Sequence, residues 1–237
     1  MNIALIIAGG RGVRMGGETP KQFLPVRGKP VIAYTMQAFE RHPDIDLIAC
    51  VCVSGWEDEL TRIAAGWGIT KLRHIIPGGD CGQASIRNGV FELERLYGRE
   101  PLVLVHDAIR PMVSQEIITG CITCAEAHGS AVVCVPCQEA MLETKDGLSS
   151  GSAYPRANLR RTQTPQGFRL GALADLQREA LEKGVTNSIA CCTLMAELGY
   201  TVWFSDGSEK NIKLTTPDDM VIFEALLELQ KHGSADR

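Results

Sequence analysis

Apolar runs of strand length alternate with amphipathic helical patterns through the first two-thirds of the chain, and this order restricts the fold more than any other feature. Strand-like runs cover residues 3–7, 46–53, 73–76 and 102–106, and helical patterns begin at residues 30, 57 and 83. Such alternation builds a mostly parallel sheet with helices on both faces. The sequence therefore predicts one α/β domain over residues 1–237, with ligands bound beyond the carboxyl ends of its strands.

The bulk composition excludes several classes of protein. With 45% hydrophobic and 22% charged residues, the 237-residue chain is typical of a soluble globular domain. The net charge of −4 and the lack of a basic block argue against a nucleic-acid partner. No apolar run approaches the roughly 18 residues that span a membrane, and the N-terminus does not resemble a signal sequence. We therefore expect a cytoplasmic protein without a membrane partner.

A loop rich in glycine and cations follows the first strand, in residues 8–22. Its glycines let backbone N–H groups approach a polyanion closely, and its cations would neutralise a triphosphate while it reacts. The loop lacks the Walker pattern, and it does not fit the dinucleotide fingerprint because Gly16, counted from Gly10 and Gly12, falls one residue too late. A glycine-rich turn without a ligand is the alternative. The residues concerned are Ala8, Gly9, Gly10, Arg11, Gly12, Arg14 and Lys21.

Asp107 and Arg110 stand where the strand at 102–106 stops. A carboxylate at the carboxyl end of a central strand can bind a metal–phosphate complex or a substrate hydroxyl. The alternative is that Asp107 simply pairs with Arg110 at the start of a loop. We expect His106 to be a packed strand residue rather than a base.

Residues 139–166 are polar, lack a helical pattern and end in clustered arginines that suit anion binding. Because long irregular stretches inside compact domains are usually functional, we predict a two-stranded arm over about 139–163 that grips a partner subunit. Surface disorder is the alternative. Beyond the arm we expect helices at 169–183 and 189–198, a strand at 200–204 and a final helix capped by Thr216, with Lys213 just before it.

Two C-x-x-C pairs, at 121–124 and 134–137, raise the question of zinc. Only nine residues separate the pairs, which is short of the usual zinc spacing. Cys121 continues the apolar face of a helix that Ser114 would cap, and Cys134 lies in a strand-like run at 131–136. We therefore expect buried thiols rather than a metal site.

Four motifs, in this order along the chain, resemble the 2-C-methyl-D-erythritol 4-phosphate cytidylyltransferase family and its relatives, the ribitol-5-phosphate cytidylyltransferases. They lie at residues 8–23, 105–111, 164–166 and 211–213, so the resemblance covers essentially the whole chain. It implies a Rossmann-like nucleotidyltransferase domain with a protruding β-arm for dimerisation. It also implies transfer of CMP from CTP to a polyol phosphate with release of diphosphate, assisted by Mg²⁺ or another divalent cation, in a homodimer.

The resemblance assigns roles to individual residues. Arg14, Lys21 and Lys213 would be the catalytic cations, the first two on the CTP triphosphate and the third near the polyol phosphate. Asp107 would contact the polyol and the metal, which is held mainly through the CTP phosphates. Arg156 would reach the acceptor from the other subunit's arm. The nucleotide-binding set is Ala8, Gly9, Gly10, Gly12, Gly79, Ser85 and Asp107, and the acceptor-binding set is Asp107, Arg110, Arg156, Thr164 and Lys213.

The departures from the erythritol pattern leave the CTP half intact and alter the acceptor half. Glu139-Ala140 replaces an Asp-Thr pair, residues 186–188 or 189–192 replace a Thr-Asp-Asp/Glu run, and Gly82-Gln83 replaces an arginine. The residues narrowly favour methylerythritol phosphate, used in isoprenoid precursor synthesis, as the acceptor. Ribitol 5-phosphate or another polyol phosphate is the alternative. A nucleotide-binding regulator without turnover is the alternative of another class.

Overall fold

The structure, a computed structural model, describes residues 1–10 and 19–233. The strands in that part of the chain are β1 (Asn2–Ala8), β2 (Pro25–Val26), β3 (Lys29–Pro30), β4 (Leu47–Cys52), β5 (Leu72–Pro77), β6 (Leu102–Asp107), β7 (Ser130–Pro136), β8 (Met141–Glu143), β9 (Ser152–Tyr154), β10 (Arg160–Arg169) and β11 (Phe204–Asp206). The helices are α1 (Val31–Glu40), α2 (Glu57–Gly66), α3 (Gly82–Tyr97), α4 (Gln115–His128), α5 (Leu170–Glu182), α6 (Cys191–Glu197) and α7 (Pro217–Gly233).

A seven-stranded sheet in the order β11-β7-β10-β6-β1-β4-β5 forms the centre of the domain. β1 pairs in parallel with β4 and β6, β4 with β5, and β11 with β7. β10 runs antiparallel to both of its neighbours, β6 and β7. The predicted mostly parallel α/β sheet is therefore confirmed, and the carboxyl ends of β1, β4, β5 and β6 meet along one edge.

β1 is buried on both faces and separates two hydrophobic layers. Ala4 and Ile6 face the layer formed with α1, α2 and α4, whereas Ile3 and Leu5 face the layer formed with α3, α5 and α6. This division follows from the two-residue period of side chains along a strand. Helices therefore cover both faces of the sheet, as predicted. Phe223 of α7 belongs to a third, smaller cluster that packs against the start of α1.

The predicted strand at 200–204 is wrong, because the observed strand begins four residues later, at Phe204. The helix before it, α6, is also shorter than the predicted 189–198. α6 ends at Glu197, and Tyr200 then donates its backbone N–H to the carbonyl oxygen of Met195. This turn delays the point at which the chain reaches β7, so that pairing begins only at Phe204. Apolar character alone suggested a strand at 200–204, but the helix end displaces it.

The predicted arm contains a small separate hairpin. β8 and β9 pair only with each other, and every residue of both strands is exposed. The last residues of the predicted arm lie elsewhere, because Arg160 and Arg161 pair with β7 as the start of β10. The excursion from the sheet therefore covers residues 137–159.

The cysteines of the two C-x-x-C pairs lie in ordinary secondary structure. Cys121 is fully buried in α4, and burial raises the pKa of its thiol. Cys134 is buried in β7, and both thiols are free. In the described ranges, 1–10 and 19–233, no group of three potential ligands forms a metal site, and no helix is long and apolar enough to cross a membrane.

Gly89 in α3 predicts a test of the packing between helix and sheet. A Cβ atom there would lie 2.8 Å from Val51 Cγ2 and 2.9 Å from Leu5 Cδ1, so Gly89→Ala should destabilise the protein by about 1–3 kcal/mol. Gly66, at the end of α2, has open space around its Cβ position, so Gly66→Ala should be neutral or stabilise by up to about 1 kcal/mol. Urea unfolding measures both, and equal free energies of unfolding for the two variants would contradict this packing.

Candidate active site

Most of the predicted site residues in the described part of the chain occupy one edge of the sheet, in two neighbouring groups. The first group lines a pocket at the carboxyl ends of β1, β4 and β5, and the second is a charge cluster at the carboxyl end of β6. β1 lies between β4 and β6, so adjacent parallel strands bring the two groups together. This is the position at which open α/β sheets bind ligands.

The pocket has a volume of about 520 Å³, and glycines form much of its wall. A Cβ atom on Gly9 would lie 2.7 Å from Ser85 Oγ, and one on Gly79 would lie 2.6 Å from the Cβ of Ala84. Larger residues at Gly9 or Gly79 would therefore force the two loops and α3 apart. The sequence prediction that Gly9, Gly10, Gly79 and Ser85 belong to one site is consistent with this geometry.

Ser85 holds the glycine loop against the start of α3. Its Oγ accepts a hydrogen bond from the backbone N–H of Gly79 at 3.0 Å, and the side chain is buried. Cys81 caps the helix by accepting from the N–H of Ala84 at 3.4 Å. The pocket therefore opens onto the N-terminus of a 16-residue helix, where free N–H groups and the helix dipole favour an anion.

Gln22 fixes the start of the cation-rich loop, a role that the sequence prediction missed. Its Nε2 donates to the carbonyl oxygens of Ala8 at 2.8 Å and Gly10 at 3.0 Å, and only 2% of the side chain is exposed. Lys21 precedes it in the same short 3₁₀ turn, Lys21–Phe23, and is half-buried. The predicted residues Arg11, Gly12 and Arg14 lie outside the described residues.

Asp107, Arg110 and Lys213 form the charge cluster. Asp107 Oδ2 lies 3.2 Å from Arg110 Nε and 3.1 Å from Lys213 Nζ. Burial alone would raise the pKa of Asp107, but the charges of Lys213 and Arg110 outweigh it and hold that pKa below its ordinary value. Asp107 is therefore ionised at neutral pH, and it pairs with Arg110 as one interpretation of the sequence predicts. A contact with a metal–phosphate complex or a substrate hydroxyl stays a prediction.

His106 and Thr164 support this cluster from behind. His106 is fully buried, and burial lowers its pKa to about 4, so that the ring is neutral. Its Nε2 lies 3.1 Å from the carbonyl oxygen of Arg110 and must donate to it, which leaves Nδ1 to accept from Thr164 Oγ1 at 3.1 Å. The same hydroxyl accepts from the N–H of Asp107 at 3.1 Å. The prediction of His106 as a packed residue is confirmed.

These bonds give Thr164 a supporting role. Its one hydroxyl hydrogen is directed to His106 Nδ1, and its hydroxyl oxygen orients Asp107 through the backbone N–H of that residue. The contact with the acceptor phosphate that the resemblance implies for Thr164 stays a prediction.

Asn211 holds the segment that carries Lys213. It is fully buried, and its Nδ2 donates to the carbonyl oxygen of Thr164 at 2.9 Å and to Gln163 Oε1 at 3.2 Å. Its own carbonyl oxygen accepts from Arg110 Nη1 at 2.8 Å. The sequence placed Asn211 in a motif without a role. Its bonds show that it joins β10 to the loop before α7.

Arg156 lies apart from this cluster within the chain. It is exposed on the arm, where its Nη1 donates to the carbonyl oxygen of Gln138 at 3.0 Å. Between Arg156 and the Asp107 cluster, both in the described part of the chain, no hydrogen bond or ion pair is present. The prediction that Arg156 serves the neighbouring subunit stays a prediction.

The arrangement suits the transfer of a phosphate-containing group between two anions. A glycine-walled pocket at a helix N-terminus can hold one polyphosphate, and Lys213, with 42% of its side chain exposed, can reach a second anion. Positioning and charge neutralisation are what phosphoryl-type transfer requires, whereas a nucleophilic side chain is not.

Comparisons with known proteins agree with this chemistry. Residues 2–229 match the family model described as 2-C-methyl-D-erythritol 4-phosphate cytidylyltransferase. A ribitol-5-phosphate cytidylyltransferase from Lacticaseibacillus paracasei is 39% identical over 229 residues, which is 96% of this chain and 98% of that protein. A 2-C-methyl-D-erythritol 4-phosphate cytidylyltransferase from Syntrophotalea carbinolica is 36% identical over 229 residues, covering 94% and 95%.

A solved structure extends the similarity to the fold. The 2-C-methyl-D-erythritol 4-phosphate cytidylyltransferase from Thermus thermophilus is 30% identical and superposes with a TM-score of 0.73, over 95% of this chain and 98% of that one.

His106 predicts a loss of stability in acid. Its pKa of about 4 in the folded protein lies below the ordinary value of 6.5, so the unfolded chain binds more protons between these pH values. The free energy of unfolding should therefore fall as the pH drops from 6.5 to 4, by a total of about 3 kcal/mol from this group. Denaturant titrations of the parent and His106→Gln between pH 7 and about 4.5 measure this contribution.

In this experiment His106→Gln should show a smaller fall in stability than the parent. The matched control is His128→Gln, because His128 is exposed at the end of α4 and should leave the fall unchanged. The same pH dependence in parent and His106→Gln would show that the imidazole is not held neutral.

Proposed function

The chain belongs to the 2-C-methyl-D-erythritol 4-phosphate cytidylyltransferase family, and we propose that it transfers CMP from CTP to ribitol 5-phosphate with release of diphosphate. The observation that carries the reaction is the placing of the Asp107 cluster beside a glycine-walled pocket at one edge of the sheet. An ionised carboxylate with two cations beside a polyphosphate pocket suits an anionic acceptor next to an anionic donor.

The choice of ribitol 5-phosphate is supported by sequence similarity. The relative named for ribitol 5-phosphate is 39% identical to this chain, and the relative named for methylerythritol phosphate is 36% identical over the same length. Methylerythritol phosphate is the second candidate, favoured by the family model and by the solved structures.

The proposed reaction is an in-line displacement. An oxygen of the polyol phosphate attacks the α-phosphorus of CTP and forms a new phosphorus–oxygen bond. The bond from the α-phosphorus to the bridging oxygen of the β-phosphate breaks, and diphosphate leaves with that electron pair. Because the nucleophile belongs to the acceptor, the protein contributes orientation and charge stabilisation.

Each group of the site has a part in this scheme. The glycine loop and the start of α3 bind CTP, with Arg14 and Lys21 on its triphosphate. Lys213 holds the acceptor phosphate, since its ammonium group is exposed enough to turn from Asp107 toward an incoming anion. Arg110 is only 11% exposed and keeps Asp107 in place, so that the carboxylate can accept from an acceptor hydroxyl.

The donor groups of the site fit a divalent cation carried by CTP. Asp107 is the carboxylate at the centre of the cluster, and its Oδ2 already contacts two cations. Mg²⁺ commonly uses one or two carboxylates together with substrate phosphates and water. When bound, it would neutralise charge on the phosphates, and Asp107 would be its protein ligand.

We place this reaction in a cytoplasmic homodimer. CTP is a cytoplasmic nucleotide, and the exposed β8–β9 arm offers a surface through which a second copy could supply Arg156.

A comparison of acceptors tests the proposed function. With CTP and Mg²⁺, diphosphate release should show a kcat/KM for ribitol 5-phosphate about tenfold or more above that for methylerythritol phosphate. The opposite preference would make methylerythritol phosphate the acceptor. No diphosphate release with either compound would refute the transfer itself.

Mixing two inactive variants tests whether Arg156 of one subunit completes the active site of the other. Lys21→Ala and Arg156→Ala homodimers should each be nearly inactive, because one lacks a cation on CTP and the other lacks a cation on the acceptor. If Arg156 acts across the dimer, one site of each heterodimer carries both defects and the other carries none. A freely exchanging mixture should then recover on the order of a quarter of the parental activity.

Subunit exchange must be followed separately, for example by mass spectrometry of a labelled variant. Confirmed exchange without recovered activity would mean that Arg156 serves its own subunit, since every site then has one defect.

A further inference from the structure

The loop at residues 185–190, between α5 and α6, is held by a buried side chain of α3. Gln83 Nε2 donates to the carbonyl oxygen of Val185 at 2.8 Å, and its Oε1 accepts from the N–H of Ser188 at 2.6 Å. Gln83 is only 3% exposed, so these bonds are shielded from water. One amide group therefore holds both ends of the four-residue segment 185–188. None of the site roles described above explains these two bonds.

The far end of the loop is fixed by a second set of bonds. The N–H of Ala190 donates to Thr193 Oγ1 at 2.9 Å, and the N–H of Cys192 donates to Gln166 Oε1 at 3.0 Å. Gln166 lies in β10, two residues after Thr164. The loop is therefore bonded to α3, which borders the CTP pocket. It leads into α6, whose start is bonded to β10, the strand that orients Asp107 through Thr164.

Further contacts tie this loop and the start of α6 to the two halves of the site. Cys81, which lines the pocket, donates from Sγ to the carbonyl oxygen of Thr186 at 3.4 Å. The N–H of Cys192, at the start of α6, donates to Gln166, and Gln166 pairs in β10 with Val105 of β6. The start of α6 is thus bonded to the strand beside β6, which carries Asp107 at its end.

Ile189 lies between the two fixed points of the loop and is 92% exposed. A single exposed apolar residue is ordinary on a protein surface. This one differs in position, because the residues on either side of it are held by hydrogen bonds and it lies between the bonds to α3 and the start of α6, which is bonded to β10. A rigid apolar side chain at that place can contact the carbon chain of a small acceptor.

We propose that Gln83 is a positioning residue that sets acceptor specificity by holding the 185–190 loop, with Ile189 as the contact, against the polyol phosphate. This inference rests on the proposed function and adds a determinant of which polyol phosphate is used. Gln83 acts through the loop and does not itself touch the acceptor.

The test measures steady-state kinetics of Gln83→Met, which keeps the side-chain length but removes both hydrogen bonds. We expect the KM for the polyol phosphate to rise about tenfold while the KM for CTP stays within about twofold, and the preference between ribitol 5-phosphate and methylerythritol phosphate to shrink. Hydrogen exchange at residues 185–190 should also become faster in this variant.

Two other variants complete the design. Ile189→Ser changes only an exposed side chain, so it should raise the acceptor KM without loss of stability, and it decides the question if Gln83→Met does not fold. Gln115→Met is the matched control, because Gln115 Nε2 donates to the carbonyl oxygen of Ala38 at 2.9 Å and joins α4 to α1 on the opposite face of the sheet from α3. It should keep parental kinetics.

The outcomes separate this inference from the proposed function. A parental enzyme that uses neither polyol phosphate refutes the proposed function, and the inference falls with it. An active parent whose acceptor KM and acceptor preference are unchanged in Gln83→Met and Ile189→Ser overturns the inference alone. It is also overturned if the KM for CTP rises in parallel with that for the acceptor, because the loop would then only support the pocket.

Discussion

The half-buried carboxylate of Asp107 is the constraint on which the rest of the site depends. An ionised carboxylate in this position is stable only because Arg110 and Lys213 both lie within about 3.2 Å of its Oδ2. The two cations come from different segments, one directly after β6 and the other before α7. The carboxylate of Asp107 therefore stays ionised only if these two segments lie together. Asn211 holds them together through its bonds to β10 and to Arg110. The charges of Asp107, Arg110 and Lys213 thus both hold these segments together and serve the proposed reaction.

The sequence predicted the sheet well because local pattern and global fold agree in it. The strand at 3–7 is apolar throughout and the strand at 102–106 is apolar up to His106, and both lie at the centre of the sheet with neighbours on both sides. Prediction failed where one element displaced the next, as at 200–204, since the end of α6 decides where β11 begins. The start of β10 was assigned to the arm because exposed arginines carry no strand pattern.

The candidate site likewise contains residues that the sequence predicted and residues that it did not. Asp107, Arg110 and the glycines were visible from the sequence, because their types and their place after strands carry the chemistry. Gln22, Gln83 and Asn211 were not, because each acts through side-chain amide bonds to residues 12 to 105 positions away. An amide side chain is chemically ordinary until its partners are known. Thr164 differs from these amides, since the resemblance implied a ligand contact for it, which stays a prediction, and its bonds to His106 and Asp107 add a supporting role.

These three amides share one physical task, which is to satisfy backbone groups of loops that meet at the site. A loop near a ligand cannot use a regular ladder of hydrogen bonds, and a buried N–H or C=O without a partner is costly. Gln22 donates to a backbone carbonyl at the start of the glycine loop, and Gln83 donates to one in the loop before α6. Asn211, in the loop before α7, donates to a backbone carbonyl of β10. Gln83 belongs to the Gly82-Gln83 pair that the resemblance marks as a departure, and its partner Ser188 lies in 186–188, one of the two alternative positions of another departure. One buried amide therefore joins two segments that are 105 residues apart in the sequence.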